Sequence, residues 1–317
     1  EGFLSIRGTS RRMPLYFAAP EDSMPELPGN LAPSDNKSLP LWLATIQQKW
    51  PAFQVRNVKD KLHALLDVQS ASELQTVRVA ASTTVKAVNA GIRAIRPGVT
   101  QHSVESLMSY TCSQSGAHGT GFWPWAMSGE AGVFPRPVVS FTRYDHLDRT
   151  MKAGDLVRID AGCEVGHYSG DLGRTVPVSG KFTDEQREVW DIFVAAYLAT
   201  VKELRDGATG SGLFDVWSDE LLRHRATAKS ALARQAIDEW SDADRVPYWQ
   251  IHTINLVEGF VRTLRAGMTI ALEPIMSIGG QGYYLEDMFL ITKDGAELLT
   301  PGLPYTAAEI ENAMAGN

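Results

Sequence analysis

Two apolar segments of this chain each carry a glutamate where a protein core ordinarily tolerates none. Met268-Thr-Ile-Ala-Leu272 reads as a buried strand that runs directly into Glu273 and Pro274. Glu286 sits inside Leu285-Glu-Asp-Met-Phe-Leu-Ile-Thr292, a second apolar strand. An ionised carboxylate taken out of water without a partner is too costly for a fold to carry. The chain must therefore bring positive charge to these strands. Either a basic residue such as Arg174 or Arg262 meets one acid while the other faces water, or a divalent cation accepts oxygens from both.

A second acidic pair lies upstream. Asp160 ends the alternating stretch Asp155-Leu-Val-Arg-Ile-Asp-Ala-Gly162, and Asp171 precedes the strand Arg174-Thr-Val-Pro-Val178. Gly162, Gly166 and Gly170 lie between them. A strand, turn and strand of this kind brings two carboxylates to one face, where they repel unless one is protonated or a cation sits between them. The bland alternative is a surface hairpin with two solvated acids. His252, within Trp249-Gln-Ile-His-Thr-Ile-Asn-Leu256, is by itself the pattern of a satisfied core histidine. It becomes a candidate ligand only if the four carboxylates converge beside it.

The rest of the chain sets the frame. With 44% of its 317 residues apolar and 21% charged, it has the composition of a globular protein with a sizeable core. A formal net charge of -7 argues against a nucleic-acid binder. No apolar run is long enough to span a bilayer. The two cysteines, Cys112 and Cys163, form no CxxC pair, so the sequence predicts neither a disulfide framework nor a thiolate zinc site. Neither a phosphate-binding glycine loop nor a GxSxG elbow is present, which removes phosphoryl transfer and serine hydrolysis from consideration.

Residues 1–68, with prolines and turn residues crowded between Pro20 and Pro40, read as a small or truncated N-terminal domain. Residues 69–317 read as the main domain. There Ser70-x-x-Glu73 and Thr183-x-x-Gln186 mark the starts of two long helices. Further helices are expected at 102–114, 214–223, 227–239 and from Ala307 onward. Strands separated by helices, yet also arranged in hairpin-like pairs, favour an α+β fold with a curved, mainly antiparallel sheet.

The ordered set of ligand candidates resembles the metallopeptidase family of aminopeptidase P, prolidase and methionine aminopeptidase, and the aminopeptidase P group most. Gly154-Asp-Leu-Val-Arg-Ile-Asp-Ala-Gly-Cys-Glu-Val-Gly-His-Tyr-Ser-Gly-Asp-Leu-Gly-Arg-Thr175 is similar to that group's first metal motif. Leu264-Arg-Ala-Gly-Met-Thr-Ile-Ala-Leu-Glu-Pro274 and the segment Leu285 to Thr300 are similar to the motifs of its last two ligands. The resemblance implies a pita-bread fold and two divalent metal ions, with manganese expected and cobalt, zinc or iron as alternatives. Asp160 would bind one ion, Asp171 and Glu286 would bridge, and His252 with Glu273 would bind the other. A water activated by the pair would attack an amide or peptide carbonyl, in the manner of an Xaa-Pro aminopeptidase.

The family pattern is not complete. At its first non-ligand histidine the sequence has Arg136 or, counted back from Asp160 without gaps, Arg143; His146 is a nearby substitute. At the second it has Gly259, with Glu258 beside it as a candidate general base. Tyr284 stands where the family often has an arginine and is a further candidate for substrate binding. Arg136 and Arg143 are candidates to clamp a substrate carboxylate, and Trp123 and Trp125 to wall a substrate pocket. Three functions compete: an Xaa-Pro peptidase; a two-metal, even di-iron oxidative, enzyme acting on a non-peptide amide or other small molecule; and a non-catalytic relative. The expected partner is a small peptide or amide, with no nucleic acid and no membrane, in a cytoplasmic homo-oligomer.

Overall fold

A computed structural model describes residues 13–17, 48–50, 53–57, 64–133, 149–244, 248–254, 261 and 263–316. The chain divides into two compact units, Glu1–Leu66 and Asp67–Asn317. In the first, β1 (Met13–Phe17) pairs in parallel with β2 (Phe53–Asn57).

The second unit opens with α1 (Ala71–Ala94), whose N-terminus carries the expected capping box of Ser70 and Glu73. Its apolar positions at spacings of three and four bury Val77, Ala81, Val88 and Ile92. α2 (Gln101–Gln114) follows, started by Thr100, and then β3 (Gly119–Thr120) and β4 (Trp125–Ser128). After β5 (Leu156–Ala161), β6 (Cys163–Val165), β7 (Tyr168–Ser169) and β8 (Leu172–Pro177) come α3 (Asp184–Val201), α4 (Gly210–His224) and α5 (Ala231–Trp240). The chain ends with β9 (Tyr248–Thr253), β10 (Thr269–Ile278), β11 (Gln281–Ile291), β12 (Ala296–Leu298) and α6 (Ala307–Met314). The second predicted capping box, Thr183 with Gln186, starts α3.

β4, β5, β8, β11, β10 and β9 lie side by side in that order, with β12 also on β11. Each of these pairings is antiparallel. β4 is an edge strand, and α2 covers its free donors: Gln101 Oε1 accepts from the Ser128 amide at 2.8 Å and Glu105 Oε1 from the Ala126 amide at 3.0 Å.

Alternation along the strands separates two faces. Val157, Ile159, Ala161, Ile270, Leu272 and Leu285 point to the main core, where they join Val88 and Met108 from α1 and α2 and Trp190, Phe193 and Tyr197 from α3. Arg174 and Asp287 have this parity too. Both are fully buried and paired with each other at 3.0 Å. Tyr305 and Thr300 hydroxyls also donate to Asp287, each at 2.7 Å. The sequence-level option that Arg174 neutralises Glu273 or Glu286 thus fails because Arg174 faces the other side of the sheet.

One expectation is overturned. Cys112 near the end of α2 and Cys163 at the start of β6 form a disulfide, with Cα atoms 5.3 Å apart. Both are fully buried in the main core. Their separation of 51 residues carried no signal, because only the packing of α2 against β6 brings them together.

Candidate metal centre

The face opposite the main core carries the acids, and sheet register explains why. Asp160 on β5 is opposite Gly173 on β8, and Gly173 is opposite Glu286 on β11. The register between Leu272↔Asp287 and Ile275↔Tyr284 sets Glu286 across from Glu273, which in turn pairs with Gln250 on β9. Three carboxylates therefore stand in one row crossing the strands. In the next row His252 pairs with Ala271, and Ala271 with Met288. Asp171 joins that row, its amide reaching Met288 Sδ at 3.3 Å. The row on the other side holds Arg158, opposite Thr175, whose Oγ1 accepts the Tyr284 amide at 2.8 Å.

Gly173 is required at the centre of this grid. A Cβ there would lie 2.2 Å from Tyr284 Cε1 and 2.3 Å from the Ile159 carbonyl oxygen. Its missing side chain leaves the space over which Asp160 and Glu286 approach each other and into which the Tyr284 ring fits.

The five predicted residues form two groups that share Glu286. Asp171, His252 and Glu286 offer ligand atoms within 4.8 Å of one another, and so do Asp160, Glu273 and Glu286. His252 Nε2 lies 3.3 Å from Glu286 Oε1, 3.6 Å from Asp171 Oδ2 and 3.7 Å from Glu273 Oε2. The Tyr284 hydroxyl donates to Glu286 Oε2, and Gln250 Nε2 donates to Glu273 Oε2. All but Asp171 are buried.

Such crowding is costly for bare carboxylates. Burial pushes the Asp160 carboxyl up to about 7, with the nearby Glu273 charge adding to it against the opposing pull of Arg158. Burial, then the Glu286 charge, pushes Glu273 up to about 7 as well. Glu286 is raised by burial first. Asp160 Oδ1 is buried with no hydrogen-bond partner among the described residues. Four acids, one imidazole and an orphaned carboxylate oxygen are a donor set that divalent cations fit: hard oxygens with one nitrogen, short of positive charge.

Two residues at the site escaped the sequence reading. Arg158 lies 3.3 Å from Asp160 and 3.7 Å from Glu273, with its guanidinium 4.0 Å from the Tyr284 ring centre and 5.4 Å from that of Trp125. Gln250 anchors Glu273. Each stands two positions before a candidate ligand on a strand, Arg158 before Asp160 and Gln250 before His252, and that spacing was the available signal.

The remaining candidates scatter. Trp125 is buried in register with Asp160. Trp123 is 45% exposed and stacks on His102. His167, which lies between Asp160 and Asp171 in the sequence and is not one of those candidates, sits on the β6–β7 turn with φ 70° and faces solvent beside Glu164. Arg136, Arg143, His146, Glu258, Gly259 and Arg262 lie outside the described residues.

A family model of metallopeptidase family M24 matches residues 75–293. The chain belongs to this family. Its fold is accordingly the pita-bread fold of that family. Among curated relatives, the Xaa-Pro aminopeptidase of Escherichia coli is 28% identical over 277 residues, covering 80% of this chain and 60% of that protein. The Xaa-Pro dipeptidase of Pyrococcus furiosus is 28% identical over 265 residues, covering 80% and 69%. The solved proline aminopeptidase P II of Yersinia pestis superposes with a TM-score of 0.71 at 25% identity, over 87% of this chain and 68% of that one. The chain thus spans about 60% of the length of the E. coli relative. Among the described residues no helix is long and apolar enough to cross a membrane.

Proposed function

We propose that residues 69–317 form a catalytic unit that hydrolyses amide bonds of the Xaa-Pro type at a two-metal centre built on Asp160, Asp171, His252, Glu273 and Glu286. The convergence of these five residues into two groups sharing one glutamate carries the reading. The names of the relatives support the substrate class. Manganese suits the oxygen-rich donor set with its single imidazole.

Bound divalent ions would polarise the scissile carbonyl and bring a water's proton loss towards neutral pH. The protein's own part is arrangement. Glu286 belongs to both groups and is fixed by the Tyr284 hydroxyl. His252 presents Nε2 to the acids while Nδ1 lies 3.3 Å from the Thr253 carbonyl oxygen, which orients the ring. Gln250 fixes Glu273. Buried walls, including Trp125 and Tyr284, exclude water and strengthen every charge interaction inside. Arg136, Arg143, His146 and Glu258 remain the candidates for substrate clamping and proton transfer.

Metal-stripped protein should be inactive on a panel of Xaa-Pro dipeptides and longer peptides, regain turnover with Mn²⁺, and lose it again in Asp171→Asn. Absence of metal-dependent turnover across the panel refutes the peptide reading. Replacement of both non-ligand histidine positions favours a non-peptide amide as second substrate class, and turnover of small amides with inert peptides would establish it. We further propose a homo-oligomer, checked by light scattering. The buried disulfide favours an oxidising compartment over the cytoplasmic location expected from the sequence.

A further inference from the structure

Four of the five candidate ligands lie within strands: Asp160 on β5, His252 on β9, Glu273 on β10 and Glu286 on β11, each held by ladder pairing. Asp171 is the exception, between β7 and β8. Its amide meets a thioether, Met288 Sδ at 3.3 Å, and sulfur is a weak acceptor. The place of Asp171 therefore depends on how the chain before it is held.

That hold runs through Cys163. The Cys163 carbonyl accepts from the Gly170 amide at 3.0 Å, one position before Asp171. The Cys163 amide donates to Thr84 Oγ1 on α1 at 2.8 Å. Gly170 packs on that same hydroxyl, since a Cβ there would lie 2.1 Å from Thr84 Oγ1. The disulfide to Cys112 fastens the Cys163 side chain to α2. Cys163 is thus pinned from two helices while its carbonyl holds the start of the Asp171 segment. Further out, the Tyr168 hydroxyl donates to Glu73 Oε1 at 2.6 Å. Both cysteines are fully buried, so the bond, once closed, exchanges slowly with outside thiols and keeps the state it reached during folding.

We propose that the Cys112–Cys163 bond is a redox device that makes the centre competent to hold metal. With the bond closed, Asp171 is held beside His252 and Glu286. With it open, Cys163 is released from α2, the segment carrying Asp171 loosens, and divalent ions bind more weakly. Closing it is thiol–disulfide exchange: the two thiols give up two protons and two electrons to an oxidising disulfide, which leaves as its two thiols. A chain folded in a reducing compartment therefore stays poor in metal, and one folded in an oxidising compartment takes it up. Metal binding and oxidation must then favour each other by the same factor. The inference rests on the metal-centre reading above.

The test measures this coupling from both ends, on the full chain at a temperature where circular dichroism shows both forms folded. Calorimetric titration with Mn²⁺ should give binding about tenfold weaker for reduced protein, desalted without air, than for oxidised protein. Reoxidation by oxidised glutathione should restore it. Reciprocally, saturating Mn²⁺ should lower the reduction potential of the cysteine pair in dithiothreitol buffers by about 30 mV, the equivalent of tenfold. Cys112→Ala combined with Cys163→Ala should bind as the reduced protein does, which rules out capture of Mn²⁺ by free thiols. Leu221→Ala, which opens a cavity in the main core on α4, should bind as the wild type does, which separates the device from loss of stability. Where the opened chain does not stay folded, oxidised Thr84→Val decides: it removes the acceptor for the Cys163 amide and should weaken uptake at least about threefold. Equal affinity in oxidised and reduced protein, a potential unmoved by Mn²⁺, or wild-type uptake in the double alanine variant or in Thr84→Val overturns the proposal. So does an equal loss in Leu221→Ala. Those results would leave the metal-centre reading standing, whereas no uptake of Mn²⁺ by the oxidised protein would overturn that reading too.

Discussion

Opening the Cys112–Cys163 bond tests how the strands of the candidate centre are tied to the helical layer. The bond closes a loop of 51 residues that contains β3, β4 and β5, including Asp160. Constraining a loop of that length removes about 14 cal/mol/K of chain entropy from the unfolded state, or about 4 kcal/mol at 25 °C. A typical domain is stable by only about 5–15 kcal/mol, so the loss would be a large fraction of the total. For a unit of this size it corresponds to a drop in Tm of about 8–16 °C. The measurement is urea unfolding of oxidised and reduced protein, followed by tryptophan fluorescence, with thiols titrated under denaturing, non-reducing conditions. Oxidised protein should give no free thiol. Cys112→Ala and Cys163→Ala, singly and together, should each lose nearly the same stability, because any of them opens the same loop. A loss below about 1 kcal/mol would refute the loop-entropy argument. Two free thiols in untreated protein would refute the bond itself.

Further consequences follow from the same geometry. Asp160 and Glu273 have folded-state values raised to about 7, above their unfolded values of 3.8 and 4.5. In that interval the native state binds more protons than the unfolded chain, so metal-free protein should lose stability as pH rises from about 4 to about 7. Mn²⁺-loaded protein should not follow this fall, and thermal melts at pH 5 and pH 8 with and without chelator compare the two directly; identical slopes would count against the raised acids. Gly173→Ala places a Cβ against Tyr284 and Ile159, so it should destabilise by about 1–3 kcal/mol and weaken Mn²⁺ uptake. Wild-type uptake in that variant would remove Gly173 from the account. Arg174→Met strands the buried Asp287 charge and should cost about 3–5 kcal/mol in urea unfolding. A neutral outcome would show that Asp287 finds other partners.

What could be read beforehand follows from how local each signal is. The capping boxes at Ser70 and Thr183 are complete within four residues, and both helices start where those residues say. Glu273 and Glu286 announced themselves because an acid in an apolar strand is a local contradiction. The disulfide had no such signature, since its two halves meet only after α2 has packed on β6. Arg158 was hidden for a different reason. In an alternating strand that ends in an aspartate, a basic residue two positions earlier looks like a solvent-facing neighbour, and only the closing of the sheet shows that this face is inside.

Parity and register together account for the chemistry better than any single motif does. Arg158 and Arg174 are both buried arginines on neighbouring strands of one sheet, yet they do opposite things. Ile159 pairs with Arg174 and Arg158 with Thr175, so the two guanidiniums leave the sheet on opposite faces. Arg174 enters the helix-packed core and finds Asp287, which has the same parity on β11. Arg158 enters the acidic face and finds Asp160 and Glu273. A one-residue slip of β8 would exchange these environments, stranding one charge in the core and removing the gap that Gly173 provides between Asp160 and Glu286. The buried Arg174–Asp287 pair therefore helps hold the register on which the candidate centre depends. For this reason the stability cost of Arg174→Met should come with weaker Mn²⁺ uptake, although Arg174 touches none of the candidate ligand side chains. Unchanged uptake in a destabilised Arg174→Met would separate the two faces and refute the link.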